Sequence, residues 1–124
     1  MGFHYKSDYV DFDIDDPQAP LLYCVYEIVS DWSDLERYIR GTIGKDPTQS
    51  IGGELDFNLR PESAKDGHTL YYAWVDEYAG IEPNEGYYDE LTVKSCIKDA
   101  FSNMLCLHPE RESQIRAIFK KYDL

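Results

Sequence analysis

The run Leu70–Val75, LYYAWV, constrains the fold most, because nearly every residue in it is apolar or aromatic. A strand of this kind has both faces in contact, or has one face in the core and the other awaiting a partner. In one register the surface residues are Tyr72, Trp74, Asp76 and Tyr78; the opposite register exposes Tyr71, Ala73 and Val75 instead. Other elements must therefore cover at least one side of this strand.

Two more segments alternate between apolar and polar residues. Residues 8–15, DYVDFDID, place Val10, Phe12 and Ile14 on one side and a line of carboxylates on the other. Residues 54–60, ELDFNLR, repeat the pattern with Phe57 and Leu59 on the apolar side. Period two predicts half-buried strands with acidic outer faces. Residues 60–68 read as a hairpin connection because they contain Pro61 and Asp66-Gly67, and residues 79–90 read as a long loop.

Helical periodicity covers the rest of the chain. Apolar residues recur at intervals of three and four from Leu21 to Ile39, which predicts a helix that starts near Pro17 and ends at Gly41 or Gly44. The competing interpretation is a strand over 21–29 followed by a shorter helix capped at Ser33. Two further helices are predicted, over 89–107 and from Pro109 to the C-terminal region.

The predicted order is β-α-β-β-α-α, which gives an α+β fold: a small, mainly antiparallel sheet packed by helices on one face. The other sheet face is then open and acidic. At 124 residues the chain fits a single domain, 1–124, able to bury a core without a metal or disulfide.

The charge narrows the class of partner. Asp and Glu number 24 against 12 Lys and Arg, a net charge of −12. Direct binding of nucleic acid or of an anionic membrane is disfavoured, because phosphate contacts need Lys and Arg. A basic protein is the favoured partner.

No motif indicates catalysis or a cofactor. The three cysteines, Cys24, Cys96 and Cys106, form no CxxC and lie in apolar segments, which indicates reduced thiols in a cytoplasmic protein. No apolar run approaches the length of a membrane span, and the N-terminal residues have no signal core. The acids around Asp13 lack the glycine and glutamate that a calcium loop needs, so no metal site is expected. We expect no enzyme activity and no cofactor.

Binding residues are expected mainly in the stretch 66–93, which contains seven acids and six aromatics but no Lys or Arg. Tyr and Trp supply large rigid contact area, while carboxylates attract cations. The predicted partner-binding residues are Tyr72, Trp74, Asp76, Glu77, Tyr78, Glu82, Glu85, Tyr87, Tyr88 and Asp89, with Asp11 and Asp13 of the first predicted strand.

In its small size, strong acidity and its stretches DEY, EPNEGYYDE and DYVDFDID, the chain resembles the immunity proteins of bacterial toxin systems, including those of contact-dependent growth inhibition. The resemblance implies a monomer or weak dimer that binds a basic toxin domain, often a nuclease, and blocks its active site or an adjoining surface. Two alternatives stay open. A DNA mimic would space its acids in two extended rows, and a small carboxylate-dependent enzyme would hold them in a deep pocket.

Overall fold

The computed structural model of the chain describes residues 3–5, 10–29, 36–45, 57–63 and 69–124. Its strands are β1 (Phe3–Tyr5), β2 (Val10–Phe12), β3 (Phe57–Ser63), β4 (Thr69–Val75) and β5 (Glu85–Asp89). Its helices are α1 (Ala19–Val29), α2 (Arg37–Gly41), α3 (Glu90–Leu107) and α4 (Glu112–Tyr122), with short 3₁₀ turns at Glu77–Ala79 and Pro109–Arg111.

The strands form two antiparallel sheets. The larger has the order β3-β4-β5, with β4 in the centre, and the smaller pairs β1 with β2. Helices α1 and α3 contact the larger sheet, and β1 and β2 contact the helices. The α+β class predicted from the sequence is therefore confirmed, with the mainly antiparallel sheet that was expected. The element order differs from the predicted β-α-β-β-α-α, because β1, α2 and β5 are additional elements and β2 belongs to a separate sheet.

The core lies between one face of the larger sheet and the helices. Strands β3 and β4 contribute buried side chains in alternation, which are Phe57, Leu59, Tyr71, Ala73 and Val75. The helices contribute, among others, Leu21, Leu22, Val25, Val93, Ile97, Phe101, Ile115 and Ile118. Tyr71, Ala73 and Val75 thus take the inward register, which turns Tyr72 and Trp74 to the opposite face.

The structure decides the open question at 21–29 in favour of a helix. Helix α1 begins at Ala19, two residues after the predicted start, because Asp16 closes a turn by accepting the backbone N–H of Gln18 at 2.9 Å. Pro20 lies in the first helical turn, where no N–H is required. The single helix predicted to end at Gly41 or Gly44 is instead two helices, because α1 ends at Val29 and α2 begins only at Arg37, after a turn at Glu36. Helix α2 ends at Gly41, one of the two predicted ends. Ser33, the alternative cap, lies outside the described residues.

Strand β5 occupies part of the segment that was predicted to be a long loop. The Gly, Pro and Asn residues between Gly80 and Asn84 favour a loop locally, but the following Glu85–Asp89 pairs with β4 over its whole length. That pairing satisfies backbone groups which would otherwise need water. The loop prediction over 79–90 was therefore too long. Strand β5 depends on pairing with residues of β4 that lie ten to twenty positions earlier in the chain, and local sequence signals do not report such pairing.

Pro61 is a second local signal that tertiary pairing overrides. It was read as a strand breaker, yet β3 continues through it to Ser63, and Pro61 pairs with Tyr71. Proline is tolerated here because β3 is an edge strand, where one row of N–H groups is not used in the ladder. Residues 54–56 of the predicted strand and the Asp66-Gly67 turn lie outside the described residues.

The first predicted strand is shorter than 8–15. Strand β2 ends at Phe12, and the chain then turns, with the N–H of Asp16 bonded to the carbonyl of Asp13 at 3.1 Å. Residues 8 and 9 lie outside the described residues. The two C-terminal helices match their predictions closely. In the part of the chain that the structure describes, no helix has the length and apolar character needed to cross a membrane.

Candidate partner-binding face

The face of the larger sheet that points away from the core carries three aligned rows of side chains. Directly paired residues project to the same side of a sheet, so the register defines these rows. We call this the outer face; its rows are Asn58, Trp74 and Glu85, then Arg60, Tyr72 and Tyr87, then Glu62, Leu70 and Asp89.

The middle row is a continuous stack of one cation and two rings. The guanidinium of Arg60 lies over the Tyr72 ring, 4.9 Å from its centre. The Tyr72 and Tyr87 rings follow, with their centroids 5.3 Å apart and their planes tilted by 47°. Both contacts fall in the range of favourable cation–π and aromatic pairs. We call this stack the cation–aromatic row; it crosses all three strands and fixes its side chains in place.

Two carboxylates bond to members of the cation–aromatic row. Glu62 pairs with the guanidinium of Arg60 at 3.0 Å, and Glu85 accepts a short hydrogen bond from the Tyr72 hydroxyl. This hydrogen bond to a carboxylate raises the pKa of Tyr72 to about 12, because ionising the phenol would place two negative charges side by side. Tyr72 is therefore a neutral donor throughout the physiological range.

The connection between β4 and β5 holds a second acidic group next to the sheet, which we call the acidic corner and which consists of Asp76, Glu77, Tyr78 and Glu82. Asp76 caps the 3₁₀ turn Glu77–Ala79 by accepting the N–H of Tyr78 at 3.0 Å. That turn leaves the Tyr78 side chain 93% exposed. The acidic corner therefore presents one large aromatic side chain together with three acids.

Two hydrogen bonds between Val75 and Asn84 join the two ends of the acidic corner. The N–H of Val75 bonds to the carbonyl of Asn84 at 2.8 Å, and the amide of Asn84 donates to the carbonyl of Val75 at 2.8 Å. A cavity of about 310 Å³ opens here, lined by Glu77, Gly80, Ile81, Glu82 and Asn84. Because Ile81 is buried and two acids are exposed, the cavity has an apolar floor and a negative rim.

Asp89 is the last residue of β5 on the outer face and directly precedes helix α3. It is the N-cap of α3, and its carboxylate accepts the backbone N–H of Thr92 at 2.7 Å. Hydrogen bonds from Thr92 lower the pKa of Asp89, so this acid stays ionised. Leu91, in the first turn of α3, is 75% exposed.

Tyr88 is placed apart from the other predicted residues. It is half-buried on the inner side of β5, packs against the core and makes a hydrogen bond with the backbone of Leu21. Burial raises the pKa of Tyr88. Its ring lies across Gly86, where an added Cβ would approach the Tyr88 hydroxyl to 2.7 Å. Alternation along β5 thus gives Tyr87 to the surface and Tyr88 to the core.

Asp11 and Asp13 belong to a different part of the molecule. Asp11 lies in β2, and Asp13 follows it as an exposed residue. Strand β2 belongs to the smaller sheet, which contacts α1 and α3, the helices that cover the inner face of the larger sheet. The ten other predicted residues come from β4, β5 and their connection, and all of them except Tyr88 lie on the outer face or in the acidic corner.

Four residues of the outer face were not among the sequence predictions: Asn58, Arg60, Glu62 and Leu70. The signal for three of them was present, because polar residues at 58, 60 and 62 continue the alternation of β3. Because Pro61 was interpreted as a strand breaker, the predicted strand ends at Arg60 and Glu62 falls in the predicted connection. The oxygen Oδ1 of Asn58 is buried and has no hydrogen-bond partner.

Searches among family models, curated proteins and solved structures found no match to this chain. The chemistry of the face must therefore be read from its own residues. In the described parts of the chain, no three His, Cys, Asp or Glu side chains are grouped closely enough to hold a metal ion. The outer face and the acidic corner together carry six carboxylates and one guanidinium, with exposed aromatic rings between them. Such a surface is suited to bind a cationic protein surface.

Proposed function

We propose that this chain is an acidic immunity protein that binds a basic bacterial toxin domain, such as a nuclease, and neutralises it by blocking its active site or substrate surface. It acts without catalysis of its own and without a cofactor. The proposal includes a cytoplasmic location, which the three free cysteines support, since thiols persist in a reducing compartment.

One observation carries the proposal: the aromatic and acidic residues of β4 and β5 share one surface. Tyr72, Trp74 and Tyr87 lie together on the outer face, and Tyr78 projects from the corner beside it. Glu62, Glu85 and Asp89 share the outer face with these rings, and Arg60 is its one basic side chain. Aromatic anchors within a ring of charges are typical of tight protein interfaces.

The mechanism follows from these two kinds of residue. The net charge of −12 and the acidic corner attract a domain whose own surface is built to hold phosphates, which raises the association rate. The tyrosines then exclude water and slow dissociation. Carboxylates pair with the Lys and Arg residues that the toxin uses on its substrate, so the substrate cannot bind.

The first experiment is a pull-down with the tagged chain from its producing strain, washed at low and then at high salt, with bound proteins identified by mass spectrometry. We expect one basic domain in a one-to-one ratio, whose toxic activity is lost on mixing with the purified chain. Recovery of a restriction or CRISPR effector would instead support a DNA mimic. Recovery of no specific partner would contradict the proposal and favour a small enzyme.

Association and dissociation rates of the purified complex then test the mechanism. Glu82→Gln should lower the association rate at low salt and lose this effect at high salt, because it removes a charge at the rim. Tyr78→Ala should raise the dissociation rate by about tenfold or more if it is an anchor. Asp99→Asn is the matched control, since Asp99 is an exposed acid on α3. Equal effects of Asp99→Asn and Glu82→Gln would show that only net charge matters.

A further inference from the structure

The chain itself shows how the outer face holds a guanidinium. Arg60 stacks on the Tyr72 ring and pairs with Glu62, which lies two residues further along the same strand. An aromatic ring beneath a guanidinium, with a carboxylate at its edge, satisfies both the stacking and the hydrogen bonding of this group.

Strand β5 offers the same two kinds of group, a ring and carboxylates, around Tyr87, with the acids on the strand of the ring itself. Its side chain is 61% exposed, and Glu85 and Asp89 lie two residues to either side on the same face of the strand. Residues two apart on a strand are separated by roughly 7 Å, so Glu85 and Asp89 flank Tyr87 on both sides along the strand. Among the described residues, the one cation of the row, Arg60, lies over Tyr72 and none lies over Tyr87.

We propose that Tyr87, with Glu85 and Asp89, is a receptor for an arginine side chain of a basic protein. The incoming guanidinium extends the cation–aromatic row by one member beyond the edge strand. The identity of the partner rests on the proposed function, whereas the receptor chemistry rests on the row. Arginine fits better than lysine because its planar group stacks on a ring and bonds to a carboxylate at the same time.

The two flanking carboxylates are already oriented. Glu85 accepts the hydroxyl of Tyr72, and Asp89 accepts the backbone N–H of Thr92 at 2.7 Å. A carboxylate has acceptor positions beyond one hydrogen bond, so each of them can still receive a guanidinium N–H. Side chains that are held before binding lose less conformational entropy on binding, which favours affinity.

The test uses Nα-acetyl-arginine amide as the probe and Nα-acetyl-lysine amide as its comparison. Each compound is titrated into the intact chain, and the ring signals of Tyr87 are followed by NMR. We expect a saturable shift at Tyr87 that is larger and tighter for the arginine amide. Tyr87→Leu, observed through backbone signals of β5, should weaken binding roughly two- to fivefold, the effect of one exposed cation–π contact.

Three variants separate the receptor from general acidity. Glu85→Gln keeps an acceptor for Tyr72, and Asp89→Asn keeps a good N-cap for α3, so each removes charge while preserving its structural bond. Both should weaken the arginine amide. Asp99→Asn removes an exposed acid from α3, which packs on the core side of the sheet, and should leave the titration unchanged.

Equal binding of the lysine amide, unchanged binding to Tyr87→Leu, or an equal loss in Asp99→Asn would overturn the receptor. None of these results depends on the identity of the protein partner. A toxin domain captured as well by Tyr87→Leu as by the original chain would uphold the immunity function while rejecting this site. Binding of the arginine amide as expected, with no toxin partner recovered, would uphold this site and reject the immunity function.

Discussion

At the scale of single residues, the hydrogen bond between Tyr72 and Glu85 determines how the outer face responds to pH. The bond needs a protonated phenol, and it raises the pKa of Tyr72 from an ordinary value near 10 to about 12. Its contribution is therefore fully present below pH 10 and is lost as the pH rises through about 12.

We predict that Glu85→Gln returns the pKa of Tyr72 toward its ordinary value, because a neutral amide no longer opposes ionisation of the phenol. An alkaline titration of tyrosine absorbance, compared with that of Tyr72→Phe, isolates this residue. Tyr87→Phe is the control, since it removes a neighbouring hydroxyl of the row while leaving the Tyr72–Glu85 bond. A Tyr72 that titrates near 10 in the unaltered chain would contradict the bond.

At the scale of elements, Glu36 links the end of α4 to the start of α2 through hydrogen bonds and ion pairs. Its carboxylate accepts from Lys121 at 2.9 Å and from the Tyr122 hydroxyl at 3.0 Å, and it lies 3.4 Å from Arg40. These three partners come from segments more than eighty residues apart. The hydrogen bond from Lys121, followed by that from Tyr122, lowers the pKa of Glu36.

We predict that Glu36→Gln lowers the melting temperature by about 2–5 °C at neutral pH, the effect of a partly exposed charge network in a chain of this size. A lowered pKa gives stability that is present above the unfolded value, about 4.3, and is lost as the pH falls through the folded value. The difference between the two chains, measured by thermal unfolding, should therefore disappear in acid.

Glu112→Gln is the control for that measurement. Glu112 pairs with Arg116 at 2.7 Å, but both residues lie on the exposed side of α4 and the pair connects no second element. Its removal should change the melting temperature by about 1 °C or less. Two results would show that the Glu36 contacts between α2 and α4 contribute no specific stability. One is an equal loss of melting temperature in both variants; the other is a difference between Glu36→Gln and the original chain that persists below the folded pKa of Glu36.

At the scale of the whole molecule, the three thiols report on the integrity of the core. Cys24 and Cys96 are buried and Cys106 is exposed. Burial raises the pKa of Cys24 to about 12 and that of Cys96 to about 11, which keeps both thiols protonated and unreactive.

We predict that a thiol reagent such as Ellman's reagent modifies one cysteine per folded chain rapidly, and all three after unfolding in denaturant. Cys106→Ser should abolish the rapid reaction and leave the slow ones, because Cys24 and Cys96 become accessible only when the core opens. The rate of absorbance increase gives the result. Rapid modification of two or three thiols in the folded chain would contradict the packing of α1 and α3 over the sheet.

Local periodicity was enough to predict the helices α3 and α4 and the burial of Phe57 and Leu59, and the apolar run Leu70–Val75 was enough to predict the central strand β4. In these segments the pattern of apolar residues and the pattern of backbone hydrogen bonding repeat within a few residues, so the sequence determines them directly. The charge and aromatic content of residues 66–93 likewise determined that a cation-binding surface was expected there, whichever way the strand turned.

Only the tertiary structure decided which tyrosines face away from the core. The strand β5, the inward placement of Tyr88 and the row of Arg60, Tyr72 and Tyr87 depend on pairing between strands that are distant along the chain. Local signals at Pro61 and around Pro83 favoured connections, and the hydrogen bonds and burial gained by pairing outweighed them. A one-residue difference in register would have exchanged surface for core, so the contact between strands had to decide it.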